Sequence, residues 1–425
     1  MSIRVSFYQR TGQLLSGLLI LLAVACVDLE DLTLRGAVDI IVVDGTINNL
    51  AEAQQIRLNR STADRLTGRF GTLPITKAVV EVVVDSSLII AAHETITGTY
   101  QLPGDFKGQV GHAYQLRFTL TDGTRYVSTQ QIMQPVPPID KITARFNPTA
   151  LPAQLYDGTY NQYRGAHELT INWQDPASQH DYYRWDWILW EKQNWCRSCV
   201  QGEYAQYKPT GLRNQQGCYL TSNQLYEDCF SPPEITSPLY NYGGQDLYFV
   251  YDYRCRTQCW EILYGYAVNV FDDVYSNGGL IANRKVAQIP FYQPEGCLVE
   301  IRQSSLTTDA YRYFKLLQDQ TQNTGGITDS PPAALAGNVH NATNAKETVA
   351  GYFTASMVSP MRYWIDRNDV TGRSPGLFDV LNGRSPIPEP DAAKFCIVAP
   401  PLRPPTALCV SSDSRTPYKP GGWRD

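Results

Sequence analysis

Ten cysteines are the residues of this 425-residue chain best suited to covalent chemistry, and one of them stands apart. Cys26 directly follows Leu22-Ala23-Val24-Ala25, which closes an apolar run of 12 residues from Leu14 to Ala25. Arg4 and Arg10 precede the run. A membrane-spanning helix needs about 20 apolar residues, so residues 1–25 read as a cleaved export signal. Small residues before a Cys at the end of such a signal form a bacterial lipobox. The Cys26 thiol would take a diacylglyceryl group, and each buried acyl CH₂ would hold the chain to a bilayer by about 0.8 kcal/mol. A plain secretory signal with a coincidental Cys is the competing reading. Asp28, Glu30 and Asp31 follow within an acidic stretch, residues 26–36. They read as an export signal to the outer face, or as a solvated tether.

The other nine are Cys196, Cys199, Cys218, Cys229, Cys255, Cys259, Cys297, Cys396 and Cys409. Outside the cytoplasm the default for such thiols is a disulfide. Cys196, Cys199, Cys218, Cys229, Cys255, Cys259, Cys396 and Cys409 are the candidates. Cys396 and Cys409 flank a Pro-rich loop and could pair with each other. Nine is odd, which leaves one thiol free or one pair incomplete, and the connectivity stays open. Zinc is the alternative, because Cys196-x2-Cys199 and Cys255-x3-Cys259 resemble paired thiolate ligands. The spacing is imperfect and an exported chain meets oxidising surroundings, so disulfides are expected and no metal is assigned.

Other chemistry is sparse. The five His are scattered, and neither His93-Glu94 nor His167-Glu168 has the second His of a zinc protease motif. Asp272-Asp273, and Asp366 with Asp369, could join a calcium site, but loop acids of this kind read first as solvated turn residues. No catalytic residue and no cofactor is assigned. The binding character lies in aromatics: Tyr182, Tyr183, Trp185, Trp187, Trp190 and Trp195 crowd into one short stretch. At strand spacing Tyr183, Trp185 and Trp187 share a face. With Trp190 and Trp195 they are candidates for a protein interface or a sugar-stacking platform. Filling a core is the plainer use.

The composition narrows the class. Charged residues are 18% and hydrophobic residues 43%, so the chain is globular rather than disordered. A net charge of −5 excludes a general nucleic-acid binder, which needs a basic face. The 27 Tyr against 4 Met fit a β-rich exported protein.

These residues must be positioned mostly by strands. Ala37–Val43 and Ala78–Val84 are β-branched runs. Tyr114, Leu116, Phe118 and Leu120 alternate with polar residues, and Asp122-Gly123 turns the chain back to Tyr126. Residues 37–133 read as an N-terminal β-sandwich. Residues 134–138, Gln-Pro-Val-Pro-Pro, read as a linker, since Pro lacks the N–H of a central strand. Residues 139–374 read as a second sandwich, with strands at 167–173, 182–190, 247–251 and 262–271. A Cys- and Trp-rich insert (about 194–260) interrupts it. A helix over about 307–322 follows, capped by Thr307 or Thr308, with Ala310, Phe314 and Leu317 on one face. Residues 375–425 hold ten Pro and read as an ordered coil clamped over the body. The expected fold is mainly β: two tandem sandwiches, immunoglobulin-like or fibronectin-like, one helix after the second, and an irregular Pro-rich end.

Several segments together carry a family resemblance. They are Ile41-Val42-Val43-Asp44-Gly45, Gly98-Thr99-Tyr100, the run from Gly111 to Asp140, Trp173-Gln174-Asp175-Pro176 with Asp181-Tyr182-Tyr183-Arg184, and Tyr311 through Gly337-Asn338 to Gly351-Tyr352-Phe353. The chain closes on Lys419-Pro420 and Trp423. This resembles the Bacteroidota lipoproteins grouped as domain of unknown function 4249, over nearly all of the chain after the signal; the Cys-rich insert departs from the common pattern. The resemblance implies a two-domain β lipoprotein partnered with a TonB-dependent outer-membrane barrel, and no catalytic residue carries over. The expectation is a lipid-anchored, cell-surface protein of the outer membrane. It would be a non-catalytic accessory subunit of a TonB-dependent transporter or related complex. A stand-alone glycan- or ligand-binding surface lipoprotein is the alternative.

Overall fold

A computed structural model describes residues 40–63, 70–151, 165–177, 179–202, 205–206, 218–219, 248–322, 335–388 and 406–425. Cys26, Asp28, Glu30, Asp31, Cys229 and Cys396 lie outside the described residues, as does the Cys218 side chain. The chain divides into two compact units, residues 1–40 with 60–73, and residues 41–59 with 74–425.

The protein is mainly β. In the first sandwich one sheet runs Val339–Asn341, Arg125–Ser128, Ala113–Thr119, Val79–Val84 and Leu88–Ile96. The last strand then pairs through residues 93–96 with Thr99–Gln101, which leads on to Gln55–Ala63, Ile40–Asn48 and Val349–Ser356. The period-two pattern of Ala113–Thr119 places Tyr114, Leu116 and Phe118 inside. They meet Ile41, Ile56, Val82 and Phe353 in an apolar core.

Two strands of this sandwich come from far along the chain. The range 139–374 was expected to belong wholly to the second sandwich, but Val339–Asn341 and Val349–Ser356 complete the first. Ile40–Asn48 and Val349–Ser356 pair in parallel, Val43 opposite Gly351. A Cβ on Gly351 would lie 1.9 Å from the Val43 carbonyl oxygen, and its φ is +87°, so only glycine permits this approach.

The second sandwich faces a three-stranded sheet, Lys141–Asn147, Ala166–Gln174 and Leu280–Pro290, against a larger one. The larger sheet runs Val358–Ile365, Cys297–Ser305, Tyr182–Lys192, then Trp260–Tyr264 and Asn269–Asp272 side by side along the same strand. The expected single strand 262–271 is therefore two. The break falls at Gly265, which lies under the Trp187 indole, where a Cβ would be 2.5 Å from Nε1.

Residues 134–138 carry no strand, as their prolines dictate, but they are packed rather than loose. Val136 and Ile139 enter the second core, and the Gln134 and Pro137 carbonyls accept bonds from Ser305 Oγ (2.7 Å) and Gln303 Nε2 (2.9 Å). The helix Thr308–Gln322 begins where its cap residue requires: Thr307 Oγ1 accepts from the Ala310 N–H at 3.3 Å. Ala310 and Phe314 are buried and Leu317 partly so. A second, short helix, Leu377–Asn382, ends at Gly383 in the left-handed region. No helix among the described residues is long and apolar enough to cross a membrane.

Candidate functional site

The aromatic strand was the strongest binding candidate in the sequence, and burial decides its use. Tyr183 and Trp185 are each 1% exposed and pack with Trp173 and Phe271 inside the second sandwich. The Trp185 indole donates to Gln303 Oε1 at 2.9 Å. Neither ring can reach a partner without unfolding its sheet, which corrects their reading as interface residues. Trp190 is also buried, beside Trp260 and Leu298, with Trp364 and Trp423 closing over them and the Arg362 guanidinium 5.1 Å from its ring. Trp187 and Trp195 are half-buried, Trp195 against Phe378. All eight tryptophans are described and none is exposed. Alternation placed Trp187 on the core face with Tyr183 and Trp185. It shares that face but sits at the Gly265 break, where cover is incomplete.

The cysteines form a small layer of their own. Trp195–Gly202 pairs with Tyr248–Cys255, and Thr406–Ala407 joins in parallel. Cys196 bonds Cys255, across 59 residues, and Cys259 bonds Cys409, across 150. Cys199 is also in a disulfide. The pairing of Cys409 with Cys396 is thus overturned: the residue that meets Cys409 is Cys259, brought there by the parallel pairing of Cys255 with Ala407. The zinc alternative fails for the same reason, because Cys196, Cys255 and Cys259 stand together but their sulfurs are already bonded. Among the described residues the free thiol is Cys297, buried and raised well above its ordinary pKa by burial.

Two further places have the makings of a site. The first is on the N-terminal sandwich. Leu88–Ile96 is almost wholly exposed, and residues 88–92 pair on one side only among the described strands. Leu88 is 57% and Ile89 53% exposed. Beside them opens a cleft of about 720 Å³, walled by Leu88, Ile90, Phe106, Lys107, Asp85 and His112. Asp85 and Ser86 make the tight turn into the strand, at φ 49° and 63°. The Ala113 N–H, 2.9 Å from Oδ1, and His112 Nδ1, 2.5 Å from Oδ2, hold the Asp85 carboxyl below the usual carboxylate range. The sequence Leu88-Ile89-Ile90 reads as an ordinary buried run, and nothing local marks it as an open edge.

The second is a knot of acids between the turns at 175–181 and 272–279. Asp175, Asp181 and Asp273 are buried, with one oxygen of each within 4.8 Å of the others. Burial pushes the carboxyls of Asp181 and Asp273 above the ordinary range. Asp273 is not the solvated turn residue its position implied. Asp366 and Asp369 do not join it; Asp369 instead accepts from the Phe146 N–H (2.8 Å) and contacts the buried His167 at 3.1 Å.

A spacing easily passed over, Gly372-Arg373-Ser374-Pro375-Gly376, fits a nucleophile elbow. It lies in a loop with no strand running directly into it, and no His or acid is bonded to Ser374 among the described residues.

A family profile described as "Domain of unknown function (DUF4249)" matches residues 27–362. No curated protein and no solved structure matches the chain.

Proposed function

The chain belongs to the DUF4249 family, and from that premise we propose that it is a lipid-anchored lipoprotein of the bacterial outer membrane, exposed at the cell surface. On this reading it is a non-catalytic accessory subunit of a TonB-dependent transporter or a related outer-membrane complex. Cys26 carries the acyl chains, and Asp28, Glu30 and Asp31 direct the chain outward. The β body then docks on the barrel. The observation that carries the docking is the apolar strand Leu88–Ala92, open along one edge among the described residues and bordered by a cleft. Such an edge offers unpaired N–H and C=O groups beside exposed Leu and Ile, a combination that natural sheets cover or assign to a partner. A partner segment adding one strand there, with a side chain in the cleft, would satisfy both. The disulfides support an extracytoplasmic address.

The alternative, a stand-alone glycan binder using exposed Trp rings, loses support because every Trp is wholly or partly buried. The test is fractionation of cells carrying the native chain or Cys26→Ala, with protease added to intact cells. The native chain is expected in the outer membrane and open to protease. A native chain in the soluble periplasm would overturn the reading. Cys26→Ala is expected to leave the membrane.

A further inference from the structure

We propose that Asp175, Asp181 and Asp273 form a calcium site that ties the turn after Ala166–Gln174 to the turn before Leu280–Pro290. Three carboxylates from two turns about a hundred residues apart are drawn into one pocket. They are 2%, 7% and 0% exposed. Three like charges within 4.8 Å, away from water, repel strongly unless something neutralises them.

The existing partners do not do so. The Tyr183 hydroxyl donates to Asp175 Oδ1, and the Gly278 N–H lies 2.8 Å from Asp175 Oδ2. Gln179 Nε2 donates to Asp181 Oδ1 at 2.6 Å. These donors orient two of the carboxylates but bring no positive charge. Asp273 has less: both of its oxygens are buried and neither meets a donor in good hydrogen-bond geometry, although the Asp181 backbone and the Asp175 carboxyl stand close enough to act on it. His180 Nε2 pairs with Asp273 Oδ1 at 3.3 Å without hydrogen-bond geometry while bonding Asp272, whose contact raises the imidazole pKa, so it brings at most one positive charge against four carboxylates. A fully buried carboxylate with two orphan oxygens, aimed at two more carboxylates, is the arrangement a bound cation completes.

The donor set selects the ion. It is all oxygen and triply negative, which suits a hard divalent cation. Calcium–oxygen distances of about 2.3–2.6 Å allow ligand oxygens up to about 5 Å apart, whereas magnesium, at about 2.0–2.1 Å, draws them closer. These oxygens lie within 4.8 Å of one another, inside the span that a calcium ion bridges. Val274 and Tyr275 project from the same turn, 53% and 99% exposed, so the ion would fix the base of an otherwise bare loop tip.

The experiment uses the purified full chain, stripped with EDTA. Calcium up to about 1 mM, the weak end of the range for extracellular sites, is expected to raise the melting temperature saturably. Terbium is expected to bind and luminesce by energy transfer, because the Trp173 ring is 5.3 Å from Tyr183 and Tyr183 touches Asp175. Calcium should quench that signal. In Asp273→Asn both responses should vanish. Chymotryptic cleavage after Tyr275 should slow several-fold with calcium in the native chain, a readout needing no variant. A native chain whose melting temperature, terbium emission and cleavage rate all ignore calcium would overturn the site. So would responses that persist unchanged in Asp273→Asn, which would place the ion elsewhere. An Asp273→Asn chain that is more stable than native and indifferent to calcium would show two acids sharing a proton instead.

Discussion

The two sandwiches solve burial differently. Among the described residues, the buried polar side chains of the first are neutral: Asn48, Gln54, Ser128, Gln131, Asn338, Asn341, Thr354 and Ser356. Buried charge is confined to the second sandwich and its attachments. Glu191 and Arg367 are each wholly buried and face one another, and Arg367 Nη1 also donates to the Gln293 and Glu295 carbonyls, both at 2.6 Å. His167, Asp175 and Asp273 are also buried in the second sandwich. The first sandwich is therefore held by apolar packing and should respond to lost volume. The second holds ions that are favourable only while each has its partner, so it should respond to charge, protons and cations.

Removing one partner of the sealed pair should give the largest effect. Arg367→Met leaves Glu191 buried and uncompensated, at a cost of about 3–5 kcal/mol in urea unfolding. Glu191→Gln/Arg367→Met should recover part of that loss. A single variant that costs no more than a surface change would erase the distinction between the sandwiches. Leu116→Ala, in the first core, should cost about 2–5 kcal/mol and cost the same at pH 5 and pH 8. A cost that changes with pH would show that charge reaches the first core too. Cys259→Ser/Cys409→Ser should cost about 2–4 kcal/mol, since the bond closes a loop of 150 residues. Non-reducing peptide mapping checks the bond, and reductant on the native chain should cost more than this variant, since it also opens Cys196–Cys255.

The pH response sharpens the contrast. Burial holds the His167 imidazole below its ordinary pKa, an effect the Asp369 contact only partly offsets. The unfolded chain then takes up a proton before the folded one does. Stability from this group is fully present above the unfolded pKa of about 6.5 and is lost as pH falls from there toward the folded value. His167→Gln should flatten the unfolding free energy between those two points. An unchanged slope would place the pH dependence elsewhere.

The sequence disclosed what is local and periodic. Alternation around Leu116 gave the strand, Thr307 gave the helix start, and the β-branched runs with turn residues gave the class. It did not disclose what depends on contacts across long separations. The parallel pairing of Val43 with Gly351 spans nearly the whole body, and no local pattern distinguishes a returning strand from a neighbour. Cys259 finds Cys409 for the same reason. The aromatic strand was read correctly as a strand, but alternation says which residues share a face, not whether that face meets a core or a partner. Conversely, Leu88-Ile89-Ile90 has the composition of an interior strand, and it is an edge only because no described strand lies beyond it. Asp273 was visible as a turn acid, yet its convergence with Asp175 and Asp181 is a product of two loops meeting.

The smallest change in stability should accompany the largest change in association. Leu88→Lys and Ile89→Lys alter exposed side chains and should move the folding free energy by no more than about 0.5 kcal/mol. Their effect on docking is the most direct test of the proposed role. The chain would be purified by affinity from native membranes in mild detergent, with and without Leu88→Lys/Ile89→Lys, and whatever accompanies it identified by mass spectrometry. The account predicts a stoichiometric β-barrel transporter with the native chain and its loss from the variant. A native chain that emerges alone at every salt concentration, or a barrel that stays bound to the variant undiminished, would contradict it.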